Sequence, residues 1–235
     1  KKPLNDLCIS RPKSRLSWGI EIPFDSDYVT YVWFDALLNY ITAIGWDSDK
    51  DKFDKWWPAD YHLMAKDILT THAVYWPTML MAANISLPKT IFSHGWWLME
   101  ESKMSKSLGN VINPIEIIDE YGVDSVRYYL MRDMVLGMDA SFTKASFIKR
   151  YNADLANDYG NLVNRVTMLI KKYFNNIIPD PHEFNEDDLE IISKSKSLSL
   201  EVLNLVNELK IHDAIEKSMT HIRSINKYLE VKSPW

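Results

Sequence analysis

A change in hydrophobic pattern near Gly109 constrains the fold of this chain more than any other feature of its 235-residue sequence. Before Gly109, short β-branched and aromatic segments alternate with segments of helical periodicity. After it, apolar residues recur at three- and four-residue spacing. Strands separated by helices are typical of parallel βαβ units, whereas successive amphipathic helices are typical of a bundle. We therefore predict an α/β fold in which a parallel-sheet domain is followed by an α-helical bundle.

The predicted strands indicate which segments of the chain lie close to one another. Three strands are predicted, at residues 28–34, 60–65 and 89–94. Ligands bind at the carboxyl ends of the strands in parallel sheets. We therefore expect residues 33–40, 66–72 and 94–97 at one rim of the sheet.

The helical part of the chain carries clear boundary signals. Asn113, followed by proline, and Thr143 are predicted helix N-caps, and Gly122 is a predicted helix end. Leucine and isoleucine spacing predicts long helices at residues 143–174, 186–209 and 211–231.

Composition and charge exclude several classes of protein. Apolar residues make up 46% of the chain and charged residues 25%, which excludes intrinsic disorder. The single cysteine, Cys8, excludes an internal disulfide and a Cys-rich zinc site and favours a reducing, cytoplasmic compartment. No run of eighteen apolar residues is present, so we expect no membrane partner.

The charge distribution limits how the chain can bind nucleic acid. Residues 1–142 carry 14 Lys/Arg against 19 Asp/Glu, and residues 143–235 carry 13 against 13. Neither part has the positive excess of a protein that binds nucleic acid mainly through phosphates. We therefore expect no DNA partner, and any RNA contact to be local.

A lysine-rich segment stands between the third predicted strand and the helical part. Residues 103–110 read KMSKSLGN and combine the ammonium groups of Lys103 and Lys106 with two hydroxyls and a glycine. Lysine suits the shifting charge of phosphates during displacement, and Ser and Gly favour a loop that closes over a triphosphate. A solvated basic loop is the alternative. Residues 193–197, SKSKS, have nearly the same composition but lie in a helical pattern, which predicts a solvent-exposed face.

Four ordered segments, including this loop, resemble one protein family. Residues 103–107 match the KMSKS signature of class I aminoacyl-tRNA synthetases letter for letter. Residues 31–40, YVWFDALLNY, closely resemble a methionine-pocket segment of the methionine-specific members. Residues 65–77, with AKDI, a histidine and WP, resemble a second pocket segment, and a His-Gly pair at 94–95 lies in register ahead of the loop.

The resemblance covers most of residues 4–235 and implies a methionine–tRNA ligase. Such an enzyme converts methionine and ATP, with Mg²⁺, to methionyl-adenylate and transfers the methionine to tRNA(Met). The implied organisation is the second half of a Rossmann-like catalytic domain, a helical linker and part of an anticodon-binding domain, at residues 1–107, 108–142 and 143–235. The His-x-Gly-His signature of the class is absent from the chain. The remaining half of the enzyme is therefore expected on the same longer chain, which we favour, or on a separate one.

The resemblance assigns the methionine side-chain pocket to Trp33, Ala36, Tyr40, Ile68 and His72. Aromatic rings suit a polarizable thioether, since each sulfur–aromatic contact contributes about 0.3–1.5 kcal/mol. His72 follows Ile68 by four residues, which places both on one helix face. From the residues alone, core packing explains Trp33 and Ile68 at least as well, and a lone histidine is more often structural.

The resemblance also assigns residues to ATP. Lys103 and Lys106 are the implied catalytic lysines, with Lys106 on the triphosphate, and Asp67, His94 and Gly95 are the implied nucleotide contacts. A carboxylate after a strand accepts ribose hydroxyls, although Asp67 equally suits a helix N-cap. We expect no metal site in the chain, because Mg²⁺ with ATP is held largely by phosphates and water.

In the helical domain, the resemblance implies that Asn161, Arg165 and Trp235 bind the anticodon. Unpaired bases are recognised by stacking on aromatic rings and by hydrogen bonds from Arg and Asn. A surface pair at Asn161 and Arg165, and a hydrophobic cap on the bundle at Trp235, are the alternatives.

Three competing functions remain open at this point. Another class I synthetase, for leucine, isoleucine or cysteine, is disfavoured by residues 33–40. A non-catalytic RNA-binding module that retained the fold is disfavoured by the intact Lys103 and Lys106. A helical scaffold is disfavoured by the aromatic-rich first half, which holds eight of the nine tryptophans.

Overall fold

The chain divides into two compact units, Lys1–Phe92 and Ser93–Trp235. The structure, a computed structural model, describes residues 6–99, 102–103 and 112–234.

The first unit begins with a small antiparallel sheet. Its strands are β1 (Ser10–Pro12), β2 (Glu21–Ile22) and β3 (Asp25–Thr30). The strand order is β1-β3-β2, and β3 is antiparallel to both neighbours. Only Val29 of β3 is buried.

The predicted strand at residues 28–34 is therefore partly wrong. It ends at Thr30, pairs in an antiparallel sheet, and gives way to α1 (Val32–Thr42). Residues 33, 37 and 41 share one face of α1, where Leu37 and Ile41 are buried in the core and Trp33 packs against it. Burial of that face outweighs the β-propensity of the Tyr-Val-Trp-Phe run, because propensity is the weaker contribution.

The rest of the first unit follows the predicted alternation of helices and strands. Its elements are α2 (Lys50–Trp56), β4 (Tyr61–Ala65), a 3₁₀ turn (Lys66–Ile68), a π-helix (Thr71–Tyr75), α3 (Trp76–Ala82) and β5 (Thr90–His94). The predictions of strands at 60–65 and 89–94 are confirmed, and β4 and β5 form a two-stranded sheet. The core consists of Leu37, Ile41, Trp57, Trp76 and Leu80.

The second unit combines a small sheet with helices. The sheet has the order β7-β6-β8, with β6 (Trp97–Met99) antiparallel to β7 (Ser102–Lys103) and parallel to β8 (Ala140–Ser141). The helices are α4 (Pro114–Tyr121), α5 (Val123–Asp133), α6 (Lys144–Arg150), a π-helix (Tyr151–Gly160), α7 (Asn161–Phe174), α8 (Glu186–Asn207) and α9 (Ile211–Lys232). The core around α5 holds Ile117, Val126, Tyr129, Phe142 and Phe147.

The predicted helix boundaries of this unit are confirmed. The Asn113 side chain accepts a hydrogen bond from the Ile115 amide and caps α4. Thr143 and Ser146 form a reciprocal capping box at the start of α6, and helical backbone continues through α7 to Phe174. Gly122 ends α4 with φ of 83°, a left-handed conformation that glycine adopts without strain.

A buried ion cluster joins three helices of the second unit. Arg132 of α5 and Asp154 of the π-helix are 6% and 3% exposed, and Nε of Arg132 lies 3.3 Å from Oδ2 of Asp154. The same carboxylate accepts a 2.6 Å hydrogen bond from Tyr128, and Arg132 also pairs with Glu216 of α9. Burial and the bond to Asp154 raise the pKa of the Tyr128 hydroxyl.

Candidate active site

Three of the predicted methionine-pocket residues lie on α1. Trp33, Ala36 and Tyr40 are spaced three and four residues apart and share a face of the helix. Ala36 and Tyr40 are exposed, and Trp33 is half-buried. The Trp33 indole donates a 2.8 Å hydrogen bond to the Cys8 carbonyl, which fixes the orientation of its ring.

The structure brings Tyr40 together with His72, which lies 32 residues further along the chain. The Tyr40 hydroxyl is 3.0 Å from Nε2 of His72, and their rings meet edge to face at 5.6 Å. Nδ1 of the buried His72 is 2.9 Å from the carbonyl oxygen of Ile68, one helical turn earlier. A carbonyl only accepts, so Nδ1 of His72 carries a proton, and Nε2 shares the second hydrogen bond with the Tyr40 hydroxyl.

Ile68, whose backbone carbonyl accepts the hydrogen bond from His72, has an exposed side chain. It ends the 3₁₀ turn after β4 and is 43% exposed, so it is not a core residue. Core packing therefore does not account for Ile68. The Tyr40 ring and the Tyr40–His72 polar pair supply chemistry that suits a thioether side chain.

The rings of two buried residues, His62 and Trp76, contact Tyr40, and the sequence analysis did not assign either of them to the site. His62 of β4 lies against Tyr40, with ring centroids 4.4 Å apart, and its Nε2 accepts a 3.1 Å hydrogen bond from the indole of Trp76. Both side chains are buried. The alternation of β4 could have indicated that His62 points inward, but not which rings it meets.

Burial lowers the pKa of His62, and the nearby His72 lowers it further. An indole nitrogen only donates, so Nε2 of His62 holds no proton in this arrangement. Both observations describe a neutral imidazole.

The predicted nucleotide contacts are distributed over both units. Asp67 is an exposed residue within the turn directly after β4, and Ala65 rather than Asp67 occupies the N-cap position. The N-cap alternative for Asp67 is therefore wrong. His94 ends β5, and its Nδ1 donates a 2.7 Å hydrogen bond to the carbonyl of Gly95.

Gly95 has a packing role that the sequence analysis did not anticipate. A Cβ added there would lie 2.0 Å from the backbone oxygen of Met138 and 2.7 Å from the amide nitrogen of Asp139. The neighbouring Trp96 amide donates a 2.8 Å hydrogen bond to Oδ1 of Asp139. The close approach seen at Gly95 is thus to the segment before β8.

Gly95→Ala is expected to destabilise the second unit by about 1–3 kcal/mol, because the added methyl overlaps a backbone carbonyl that cannot rotate away. The measurement is thermal unfolding of the complete protein without ligands. Met138→Ala is the control, since it changes the exposed side chain of the same residue and leaves its carbonyl in place. Wild-type stability in Gly95→Ala would contradict the packing role.

The predicted lysine loop begins in a strand. Lys103 lies in β7 and pairs with Leu98 of β6. The prediction that Lys103 lies in a loop is therefore wrong. Lys106 lies outside the described residues. The comparison segment, residues 193–197, lies within α8 and is exposed, which confirms it as a solvent face.

The predicted anticodon residues lie at the start of α7. Asn161 is exposed, and Nη1 of Arg165 is 3.5 Å from Oε1 of Glu230 on α9. A cavity of 510 Å³ adjoins Arg165; its lining is Arg165, Met168, Leu169, Lys171 and Lys172. An apolar floor with a cationic rim suits a stacked base and its phosphates. Trp235 lies outside the described residues.

The described residues hold neither a candidate metal cluster nor a candidate membrane-spanning helix. No group of three His, Cys, Asp or Glu side chains within ranges 6–99, 102–103 and 112–234 is arranged to hold a metal ion. In the same part of the chain, no helix combines the length and the apolar character needed to span a bilayer.

The sequence is similar to known proteins over its whole length. The family model described as tRNA synthetases class I (M) matches residues 1–167. The chain is 48% identical to the methionine–tRNA ligase of Clostridium acetobutylicum and 47% identical to that of Clostridium tetani. Each alignment covers all of this chain and 36% of the relative, so the chain spans about a third of those proteins.

Solved structures are similar as well. The Mycobacterium tuberculosis methionyl-tRNA synthetase in complex with methionyl-adenylate has a TM-score of 0.89 and 40% identity, covering 99% of this chain and 45% of that chain. The apo form of the M. tuberculosis enzyme has a TM-score of 0.85 and 37% identity, with the same coverage. This likeness confirms the predicted fold class.

Proposed function

The chain belongs to the tRNA synthetases of class I (M), and we propose that the complete protein containing it is a methionine–tRNA ligase. The match of the family model over residues 1–167 confirms the family resemblance that the sequence predicted. The proposed reactions are attack of the methionine carboxylate on the α-phosphate of ATP, with release of pyrophosphate, and transfer of methionine to tRNA(Met). The chain would contribute part of the amino-acid site, the KMSKS segment and part of the anticodon-binding domain.

The observation that carries this proposal is the Tyr40–His72 pair. Its 3.0 Å hydrogen bond joins two of the five residues assigned to the methionine side chain, and His72 also bonds the backbone carbonyl of a third, Ile68. The similar M. tuberculosis structure was determined with methionyl-adenylate, which supports a site for methionine and a nucleotide. Within this proposal, Trp33 and Ala36 complete the methionine pocket.

The nucleotide contacts are proposed on the same basis. Asp67, His94 and Gly95 bind the adenosine part of ATP, and Lys103 and Lys106 stabilise the charge that develops on the leaving pyrophosphate. Mg²⁺ accompanies ATP and is held largely by phosphates and water. Catalysis would then rest on positioning and electrostatic stabilisation.

Further assignments complete the proposal. Residues 1–107 are the second half of the catalytic domain, 108–142 a helical linker and 143–235 part of the anticodon-binding domain, with Asn161, Arg165 and Trp235 as base contacts. The remaining half of the enzyme is the proposed partner of this chain, and the cytoplasm its compartment.

Amino-acid-dependent pyrophosphate exchange by the complete protein tests the function. Exchange is expected with methionine and not with leucine, isoleucine or cysteine, because the aromatic surface and polar pair suit a thioether. Exchange with one of the other amino acids would contradict the assignment. ATP binding without exchange would indicate a non-catalytic RNA-binding module.

Trp235→Ala is expected to raise the KM for tRNA(Met) about tenfold, since one stacked base contributes about 1–3 kcal/mol. Methionine activation should be unchanged. Aminoacylation kinetics measure the effect, with Val231→Ala as the control, because Val231 is an exposed apolar residue near the same end of α9. Unchanged tRNA kinetics in Trp235→Ala would remove Trp235 from the anticodon site.

A further inference from the structure

His62 is a buried polar residue at the centre of an aromatic cluster. The burial of β4 alternates, so that His62 and Met64 point inward and are 5% and 4% exposed. The imidazole of His62 lies 4.4 Å from the Tyr40 ring, 5.9 Å from the Trp57 ring and 6.4 Å from the Trp76 ring. It therefore contacts the side of Tyr40 that faces the core.

The hydrogen bond to Trp76 fixes the orientation of the imidazole. Trp76 is fully buried, and its indole N–H can only donate, so the 3.1 Å bond requires an unprotonated Nε2 on His62. Burial of an indole N–H without an acceptor is costly. The rings of His62 and Trp76 are thus held in one arrangement relative to each other.

The contacts of His62 and Trp76 extend through Tyr40 to the Tyr40–His72 pair. Tyr40 lies between His62 and His72: its ring rests on His62 and its hydroxyl bonds Nε2 of His72. His72 is itself fixed by its bond to the Ile68 carbonyl. The chain of contacts from Trp76 through His62 to Tyr40 therefore determines where the Tyr40 hydroxyl lies.

An apolar pair would fill the same space without a desolvation cost. Met64, the other inward residue of β4, shows that the strand accepts an apolar side chain at such a position. A neutral imidazole matched to an indole donor provides a directional contact that apolar packing lacks.

We propose that His62 is a positioning residue of the amino-acid site, which acts through Tyr40 and Trp76 rather than by touching the substrate. His62 would hold the Tyr40 ring in the plane that presents both its face to the thioether and its hydroxyl to His72. This inference rests on the proposed function, since the substrate is the amino acid assigned there.

The test compares three substitutions of His62 in the complete protein by pyrophosphate exchange and by direct methionine binding. His62→Ala, which removes both the ring and the acceptor, should raise the KM and the Kd for methionine about tenfold, with kcat and the KM for ATP within about twofold. His62→Phe keeps a ring against Tyr40 but leaves the Trp76 N–H unpaired, and should show a similar increase. His62→Gln supplies an amide oxygen as acceptor and should restore affinity to within about threefold of wild type.

Two further variants separate positioning from general packing. Met64→Ala removes an equally buried side chain from the same face of β4, and should lower thermal stability while leaving the methionine KM within about twofold. In a Trp76→Phe background, where no indole donor is present, His62→Phe should add little to the methionine KM. Such non-additivity is the sign of a shared interaction.

Several outcomes would overturn the inference. An unchanged methionine KM in His62→Ala, an equal increase in Met64→Ala, or equal losses for methionine and ATP would each show that His62 is an ordinary core residue. Failure of His62→Gln to restore affinity would remove the acceptor role. Absence of methionine-dependent exchange in the wild-type protein is a different result, which would contradict the proposed function itself.

Discussion

Lys106→Ala in the complete protein is expected to lower the rate of methionyl-adenylate formation by about 100-fold or more. An ammonium group that meets charge developing on the leaving pyrophosphate acts mainly in the transition state, and loss of one such donor costs about 10²–10³ in kcat. The Kd for free methionine should stay within about twofold, because the residues proposed to contact the thioether do not include Lys106. Single-turnover adenylate formation and direct methionine binding measure the two effects.

The chain contains a matched control for this substitution. Lys196 lies in the SKSKS segment of α8, which has nearly the same composition as the KMSKS segment but is helical and exposed. Lys196→Ala should leave adenylate formation at the wild-type rate. If Lys106→Ala weakened methionine binding and catalysis equally, the change would reflect misfolding or a different role for the lysine.

Asp154→Ala is expected to destabilise the second unit by about 3–5 kcal/mol. Removal of one partner of a buried ion pair leaves the other charge poorly compensated, and the remaining partner of Arg132, Glu216, is itself partly exposed. Here Arg132 would lose its 3.3 Å partner, and Tyr128 would lose the acceptor of its 2.6 Å hydrogen bond. The loosening should be greatest where α5 meets the π-helix Tyr151–Gly160, because both lost contacts join these two elements.

Hydrogen exchange in the complete protein measures this effect locally. Amide protection in α5 and in the π-helix Tyr151–Gly160 should fall about 100-fold or more, since each 1.4 kcal/mol corresponds to about a tenfold change. The control is Asp54→Ala, which removes an exposed i,i+4 pair with Lys50 and should cost no more than about 0.5 kcal/mol. Equal protection losses in both variants would show that the Arg132–Asp154 pair has no special importance.

The hydrogen bond between Tyr128 and Asp154 is expected to make the stability of the folded protein depend on pH in the alkaline range. The pKa of Tyr128 is raised in the folded protein, so the folded state retains the proton that the unfolded state releases. The stabilising contribution is fully present below the ordinary tyrosine pKa near 10 and is lost as pH rises above it. Tyr128→Phe should therefore reduce the loss of stability above about pH 10.

Several parts of the fold follow from local chemistry and were predictable. Asn113, Thr143 and Gly122 set the helix boundaries in the second unit through capping bonds and backbone conformation within a few residues. The assignment of Trp33, Tyr40 and His72 to one site came from the family resemblance, and the Tyr40–His72 hydrogen bond is consistent with it.

Other parts depend on partners that are distant in sequence. The run at residues 28–34 has strong β-propensity, yet Trp33 and Phe34 are helical because the face of α1 packs into the core of the first unit. The indole of Trp76 and the imidazole of His62 are fourteen residues apart and form one bond only because β4 and α3 bring them together. Gly95 packs against the backbone at Met138, which lies 43 residues further along the chain, and no local pattern indicates that contact.

The sequence by itself determined the fold class and the family, because these depend on hydrophobic periodicity and short motifs, and the resemblance supplied the residues proposed for the amino-acid site. The tertiary structure alone decided which groups are paired: His62 with Trp76, Tyr40 with His72, and Arg132 with Asp154. The physical reason is that burial makes hydrogen bonds and ion pairs strongly dependent on geometry, and the sequence pattern carries no record of the distances between elements.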